Sequence, residues 1–173
     1  MGICLYDVTV PGFIQTVNAM EGVLQRGLAH CKDAGIDTNE IVAARLFPDM
    51  LPFRFQVISV VRHSVGAIES AKAGIFTRPP EIPPFDYAGL QGALAEANAK
   101  LKTYTPDEVN ALQGQDLAFQ PGERKISFTN ENFLLSFSIP NFHFHATTAY
   151  DILRSKGVPL GKRDYLGRLR ANG

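Results

Sequence analysis

The chain has 173 residues, of which 45% are hydrophobic and 20% are charged, which is the composition of a globular protein rather than a disordered one. Its 17 basic and 17 acidic residues give a formal net charge of zero, so nothing general attracts it to nucleic acid or to an anionic membrane. We therefore expect one domain spanning residues 1–173, with neither nucleic acid nor a membrane as its partner.

The two cysteines, Cys4 and Cys31, occupy no metal-ligand or redox spacing and are too few for a disulfide framework, which favours a reducing compartment. No apolar run approaches the roughly 20 residues that span a bilayer. The N-terminus lacks the charged and apolar regions of a signal peptide. These features predict a cytoplasmic protein.

The first half of the chain predicts two long helices. Pro11 and Gly12 open the first, which ends at Gly35 and carries an apolar stripe of Phe13, Val17, Met20, Leu24, Leu28 and Cys31. Asp37 caps a short helix that ends before Pro48. The second long helix runs from near Pro52 to Gly74, with an inward stripe of Val57, Ile58, Val61, Val65 and Ile68.

Four residues of the second long helix are predicted to face away from its inward stripe: Arg62, His63, Gly66 and Glu69. At about 100° per residue, His63 lies about 190° from the centre of the apolar stripe, so it should point at solvent. The scattered arginines are predicted to be solvated as well: Arg26, Arg45, Arg54, Arg62 and Arg78.

The second half of the chain predicts two further long helices and a hairpin. Four prolines between residues 77 and 84 indicate an extended surface connection. A third long helix follows, capped by Asp86, with one apolar face made of Leu90, Leu94, Ala97 and Leu101. A capping box at Thr105 and Glu108 introduces a short helix to about Leu112. Alternating residues then predict a short β-hairpin: Leu117, Phe119, Ile126 and Phe128.

The last long helix is predicted to begin with Asn130 as its cap and to end at Gly157 and Pro159. Pro140 should kink this helix rather than end it, because the apolar phase continues beyond it. The pattern as a whole predicts a mainly all-α fold, an up-down four-helix bundle with a short β-hairpin before the last long helix.

Residues 141–161 read Asn-Phe-His-Phe-His-Ala-Thr-Thr-Ala-Tyr-Asp-Ile-Leu-Arg-Ser-Lys-Gly-Val-Pro-Leu-Gly, and Lys-Arg-Asp-Tyr-Leu-Gly follows. This segment resembles the last helix and exit of the DinB/YfiT superfamily, and more closely a branch of it known only as a domain of unknown function. The segments 6–11 and 44–50 are similar to the same branch. The resemblance implies the four-helix fold and a homodimer, and it implies no assigned activity.

Metal-binding members of that superfamily use one histidine on the second long helix and two, four residues apart, on the last. The resemblance places these positions at His63, Asn141 and His145. Asn141 departs from the pattern, and an amide is a poorer ligand for zinc or nickel than an imidazole. The resemblance therefore implies a degenerate metal site.

Asn141 and His145 lie one turn apart on the apolar stripe of the last helix, where each needs a hydrogen bond. One interpretation is a satisfied buried pair, in which Asn141, Thr148 or a trapped water serves the His145 ring. A second is a ligand pocket at Asn141, His145, Thr148 and Tyr150, where His145 orients a small molecule or acts as a general base. A third is an intact metal site.

Two functions follow from these interpretations. The first is a non-catalytic, dimeric binding or scaffold protein with a degenerate metal site, a small-molecule ligand and no cofactor. The alternative is a divalent-metal-dependent enzyme of the thiol-transferase or hydrolase type, which uses His145 and His63 to hold zinc or nickel. The sequence leaves open whether the protein is an enzyme.

Overall fold

Four long helical rods form the body of the protein, whose computed structural model describes residues 2–78 and 84–171. The helices are α1 (Leu5–Ala34), α2 (Thr38–Ala43), α3 (Phe53–Ala73), α4 (Tyr87–Leu101), α5 (Pro106–Asn110), α6 (Asn130–Phe133), α7 (Ile139–Ser155) and α8 (Lys162–Leu166). A π-helical segment, Leu134–Ser138, joins α6 to α7, so these pieces make one continuous rod. Helix α3 packs on α4 and α7, and α1 packs on α4 and α8. The predicted helical bundle is confirmed.

A small three-stranded sheet lies beside the bundle, with strands β1 (Ile75–Thr77), β2 (Asp116–Gln120) and β3 (Ile126–Thr129). Strands β2 and β3 form the predicted antiparallel hairpin, in which Leu117 pairs with Phe128. Strand β1 was not predicted. It pairs in parallel with β2, placing Phe76 opposite Phe119. A three-residue strand whose partner lies some 40 residues away leaves no local periodic signal.

Glycine ends the two longest helices where the sequence predicts it. Gly35 and Gly74 adopt left-handed conformations, with φ of 66° and 71°, which other residues rarely adopt. Asp37 and Asp86 cap α2 and α4 as predicted, because each carboxylate accepts a hydrogen bond from a backbone N–H. Most of the predicted proline-rich connection falls on residues 79–83, which lie outside the described part of the chain.

Two predicted helix starts are wrong. Helix α1 begins at Leu5, and Pro11 lies inside it. The Asp7 carboxylate accepts the Cys4 backbone N–H at 3.1 Å, which satisfies a donor at this earlier start. Thr129, not Asn130, caps the last rod. Asn130 is buried instead, and its side-chain amide donates to the carbonyls of Ala71 and Leu112.

The π-helical segment is how the last rod accommodates Pro140. A proline inside a helix lacks an N–H and its ring collides with the carbonyl four residues earlier. The wider π turn lies immediately before Pro140 and relaxes that collision, so the helix continues as predicted. The Asn141 side chain donates to the Phe137 carbonyl at 2.7 Å, which satisfies an acceptor in the same segment.

Within the described residues, no helix is both long enough and apolar enough to cross a membrane.

Candidate functional site

An open groove of about 800 Å³ runs along α3 and ends against α7. Its walls are mostly apolar, and they are formed by Leu51, Pro52, Phe55, Ile58, Val61 and Val65. Three arginines also line it: Arg54, Arg62 and Arg78. His63 from α3 and His145 from α7 complete the lining on the side nearest the core. This volume is within the range of small-molecule binding sites.

The two imidazole rings face each other. Their centroids are 5.8 Å apart and their planes differ by 16°. The aromatic rings of Phe76 and Phe137 flank His63 at 5.5 and 5.6 Å between centroids. Phe55 meets the His145 ring edge-on at 5.8 Å. Aromatic packing therefore fixes both rings at the groove.

Hydrogen bonds select one tautomer of His63. Ser138, in the π segment, donates its hydroxyl proton to the His63 carbonyl at 3.1 Å. Its oxygen lies 3.3 Å from His63 Nδ1, so this oxygen accepts a proton from that nitrogen. His63 therefore carries its proton on Nδ1, and its Nε2 has a free lone pair.

Gln56 does the same for His145. Its amide nitrogen donates to the Leu51 carbonyl at 2.8 Å, which fixes the orientation of the amide. Its oxygen then accepts from His145 Nδ1–H at 2.7 Å. Within the described residues, two fully buried side-chain N or O atoms lack a hydrogen-bond partner, Asn98 Oδ1 and Asn130 Oδ1. The Nε2 atoms of His63 and His145 are not among them, so neither Nε2 is sealed away from the groove.

Both rings are neutral at neutral pH. Burial, together with the nearby His145 and Arg62, lowers the pKa of His63 to about 3. Burial lowers the pKa of His145 to about 4. The groove therefore presents two adjacent neutral imidazoles, each with an unprotonated nitrogen able to accept a hydrogen bond.

The prediction that His63 faces solvent is wrong, since its side chain is only 7% exposed. Three of the five residues in the stripe predicted to face inward are instead on the groove, because Ile58, Val61 and Val65 are half-buried there. The buried face of α3 contains Gln56, Ser59, His63 and Ser64. Periodicity placed His63 opposite the apolar stripe, so the predicted inward face was rotated away from the observed one.

The other predicted site residues lie away from the groove. Asn141 bonds within its own helix, and Thr148 is buried and donates to the Phe144 carbonyl at 2.7 Å. Tyr150 packs edge-on against Tyr165, with centroids 6.0 Å apart. Of the pocket residues predicted on the last helix, the structure places His145 at the groove, and its Nδ1–H donates to Gln56 rather than bonding to Asn141 or Thr148.

Sequence reasoning missed Gln56, Ser138 and the role of Arg62, which is half-buried with its guanidinium carbon 4.2 Å from the Phe76 ring centroid. One signal was present. Gln56, Ser59 and His63 recur at three- and four-residue steps, which marks a polar stripe along one face of α3. Nothing local could have indicated Ser138, because its contact with His63 spans 75 residues.

The donors at the groove do not complete a transition-metal site. His63 and His145 offer two Nε2 atoms, whereas a zinc site takes three or four protein ligands. The Asn141 amide is bonded to the Phe137 carbonyl and does not line the groove. No group of three or more His, Cys, Asp or Glu residues suited to a metal occurs in the described ranges 2–78 and 84–171.

The fold places the chain among the DinB-like helical bundles. It is similar to the crystal structure of a DinB family member protein from Shewanella denitrificans, with a TM-score of 0.84 and 23% sequence identity. The similarity covers 98% of this chain and 95% of that one. Residues 5–166 match the family described as a domain of unknown function, DUF1993, and the chain belongs to that family. No curated protein matches the chain significantly.

The lowered pKa values predict an acid-dependent loss of stability. Each imidazole has an ordinary pKa of 6.5 and a lower one in the fold, so the unfolded chain binds more protons below pH 6.5. The stabilisation is complete above pH 6.5 and is lost as the pH falls to about 4 for His145 and to about 3 for His63. In urea unfolding between pH 6.5 and 5, we expect the double variant His63→Phe, His145→Phe to bind up to about two fewer protons on unfolding than the wild type. If the unfolding free energy of the variant and of the wild type changed with pH at the same slope, the assignment of both imidazoles as neutral in the folded protein would be contradicted.

Proposed function

We propose that this protein is a non-catalytic binding protein, which holds a small organic molecule in the α3–α7 groove. The observation that carries the proposal is the pair of neutral imidazoles at that groove. The protein saturates Nδ1 of each ring and leaves each Nε2 as an acceptor. A few placed polar groups in an otherwise apolar concavity are the usual composition of a ligand site.

The lowered pKa values of His63 and His145 favour a role in ligand binding over a role as a general base. A general base works best when its pKa is near the working pH. With pKa values of about 3 and about 4, His63 and His145 are weak bases at neutral pH. As neutral acceptors they orient a hydroxyl or N–H group of a ligand without being protonated.

A neutral fluorescent probe tests the groove directly. We expect N-phenyl-1-naphthylamine to bind the wild type at micromolar concentration, with enhanced emission. Val65→Glu places a charge in the groove, and we expect it to weaken binding by about tenfold or more. Val8→Glu is the matched control on α1, where Val8 is 40% exposed outside the groove. Equal affinities of the two variants would refute the assignment, once thermal melts have shown that both are folded.

A divalent-metal-dependent enzyme of the thiol-transferase or hydrolase type is the second candidate, and the adjacency of His63 and His145 favours it. These residues would be two ligands, and the third would have to come from outside the groove lining. We expect elemental mass spectrometry of the untagged protein to find well under 0.5 equivalent of zinc, nickel or iron after incubation with excess metal. Near one equivalent, lost in both His63→Ala and His145→Ala, would favour the enzyme instead.

We also propose that the chain forms a homodimer. Large apolar side chains are exposed: Phe47 is 64% exposed, Leu51, which lines the groove, 51%, and Phe144, which packs against the His145 ring, 58%. Exposed apolar surface of this kind is typical of contact sites. In sedimentation velocity at micromolar concentration we expect twice the chain mass of 19.0 kDa. A single species at the chain mass would refute the dimer.

A further inference from the structure

The charge of the groove is one-sided. Arg54, Arg62 and Arg78 line it, and no Asp or Glu is among its lining residues in the described part of the chain. Ion pairs occur elsewhere in the described part of the chain, as in the contacts of Arg26 with Asp164 at 3.2 Å and of Lys100 with Glu69 at 3.6 Å. None of the three groove arginines makes an ion pair with a residue that the structure describes, so the positive charge of this concavity is unpaired.

Arg62 is the most constrained of these arginines. Its guanidinium packs over the Phe76 ring at 4.2 Å, and it makes no hydrogen bond or ion pair with any residue that the structure describes. Burial lowers its pKa, which shows that desolvation of the cation is not offset by a nearby carboxylate. A guanidinium has five N–H donors in a planar fork that matches a carboxylate. Such a group, half-buried on an apolar wall, is suited to receiving an anion.

Arg78 strengthens the same end of the groove. It directly follows β1 (Ile75–Thr77), the strand that contains Phe76. Arg62 packs against that Phe76 ring, so both arginines belong to the end of the groove next to β1. The apolar residues Ile58 and Val61 line the α3 wall of the groove, and the His63–His145 pair lies beside Arg62, with the His63 ring 5.5 Å from the same Phe76 ring.

We propose that the groove binds an amphipathic anion, whose carboxylate or similar single anionic head pairs with Arg62 and Arg78 while its apolar body lies along α3. This inference rests on the proposed function and names the class of ligand for it. Charge complementarity selects the head, and the apolar walls select the body. The imidazole pair adds acceptors for a hydroxyl or N–H group on the body, and it adds no charge that would compete with the arginines.

Two probes that differ by one charge test the inference. 8-Anilino-1-naphthalenesulfonate has the skeleton of N-phenyl-1-naphthylamine plus one sulfonate, so comparing them isolates the anionic head. We expect Arg62→Gln, Arg78→Gln to weaken binding of the anionic probe by about tenfold and to change binding of the neutral probe by less than about twofold. The control is Arg163→Gln, Arg168→Gln, which removes the same charge from exposed residues outside the groove. Decanoate should displace the anionic probe, and decanol should do so much more weakly.

The outcomes separate this inference from the proposed function. If the neutral probe binds in the groove but the anionic probe is insensitive to both arginines, the amphipathic-anion inference is overturned and the binding function stands. If the control Arg163→Gln, Arg168→Gln weakens binding of the anionic probe as much as the groove variant does, general charge attraction explains the result and the inference is also overturned. If neither probe binds the wild type, both proposals fall.

Discussion

The contact between His63 and Ser138 joins the two helices that form the groove. Ser138 is fully buried, so its hydroxyl and the His63 ring must satisfy each other or lose about 1 to 3 kcal/mol for each unmet group. The contact depends on the π turn, which adds a residue to the helix before Pro140 and shifts the phase of everything that follows. Pro140, the π turn and the His63 tautomer are therefore parts of one arrangement: the widened helix accommodates the proline and brings a hydroxyl to the imidazole.

That arrangement explains why α3 buries polar groups on one face and leaves apolar groups on another. Gln56 and His63 are held inside by partners that cross the helix interface, while Ile58 and Val61 remain on an open wall. A helix optimised only for stability would bury its apolar side chains and expose its polar ones. Burying an apolar side chain stabilises the fold, whereas burying a hydrogen-bonded polar side chain adds little net stability. Residues placed against the local rule are expected where a protein binds something.

The same reversal limits what the sequence predicts. Caps and terminators such as Asp86, Gly35 and Gly74 are local signals, and they located the helices correctly. The groove was not predictable in this way, because periodicity assumes that polar residues face water and therefore assigned His63 to solvent. Strand β1 and the Ser138 contact depend on residues 40 or more positions away, which no local pattern records. His145 was singled out by the family resemblance and by its place on an apolar stripe, whereas its partner Gln56 lies on another helix.

The electrostatics of the groove favour a fixed rather than a switchable charge. Protonating either imidazole would place a cation beside the other ring and near Arg62, in a setting where burial already disfavours charge. The imidazoles therefore stay neutral across the range in which free histidine titrates. A ligand meets the same pattern throughout this range: positive charge at the end next to β1, apolar walls, and two neutral acceptors beside the core. The neutral imidazoles accept a hydrogen bond from a hydroxyl or N–H group, and they do not compete with the arginines for an anion. The imidazoles and the arginines can therefore contact different parts of one ligand.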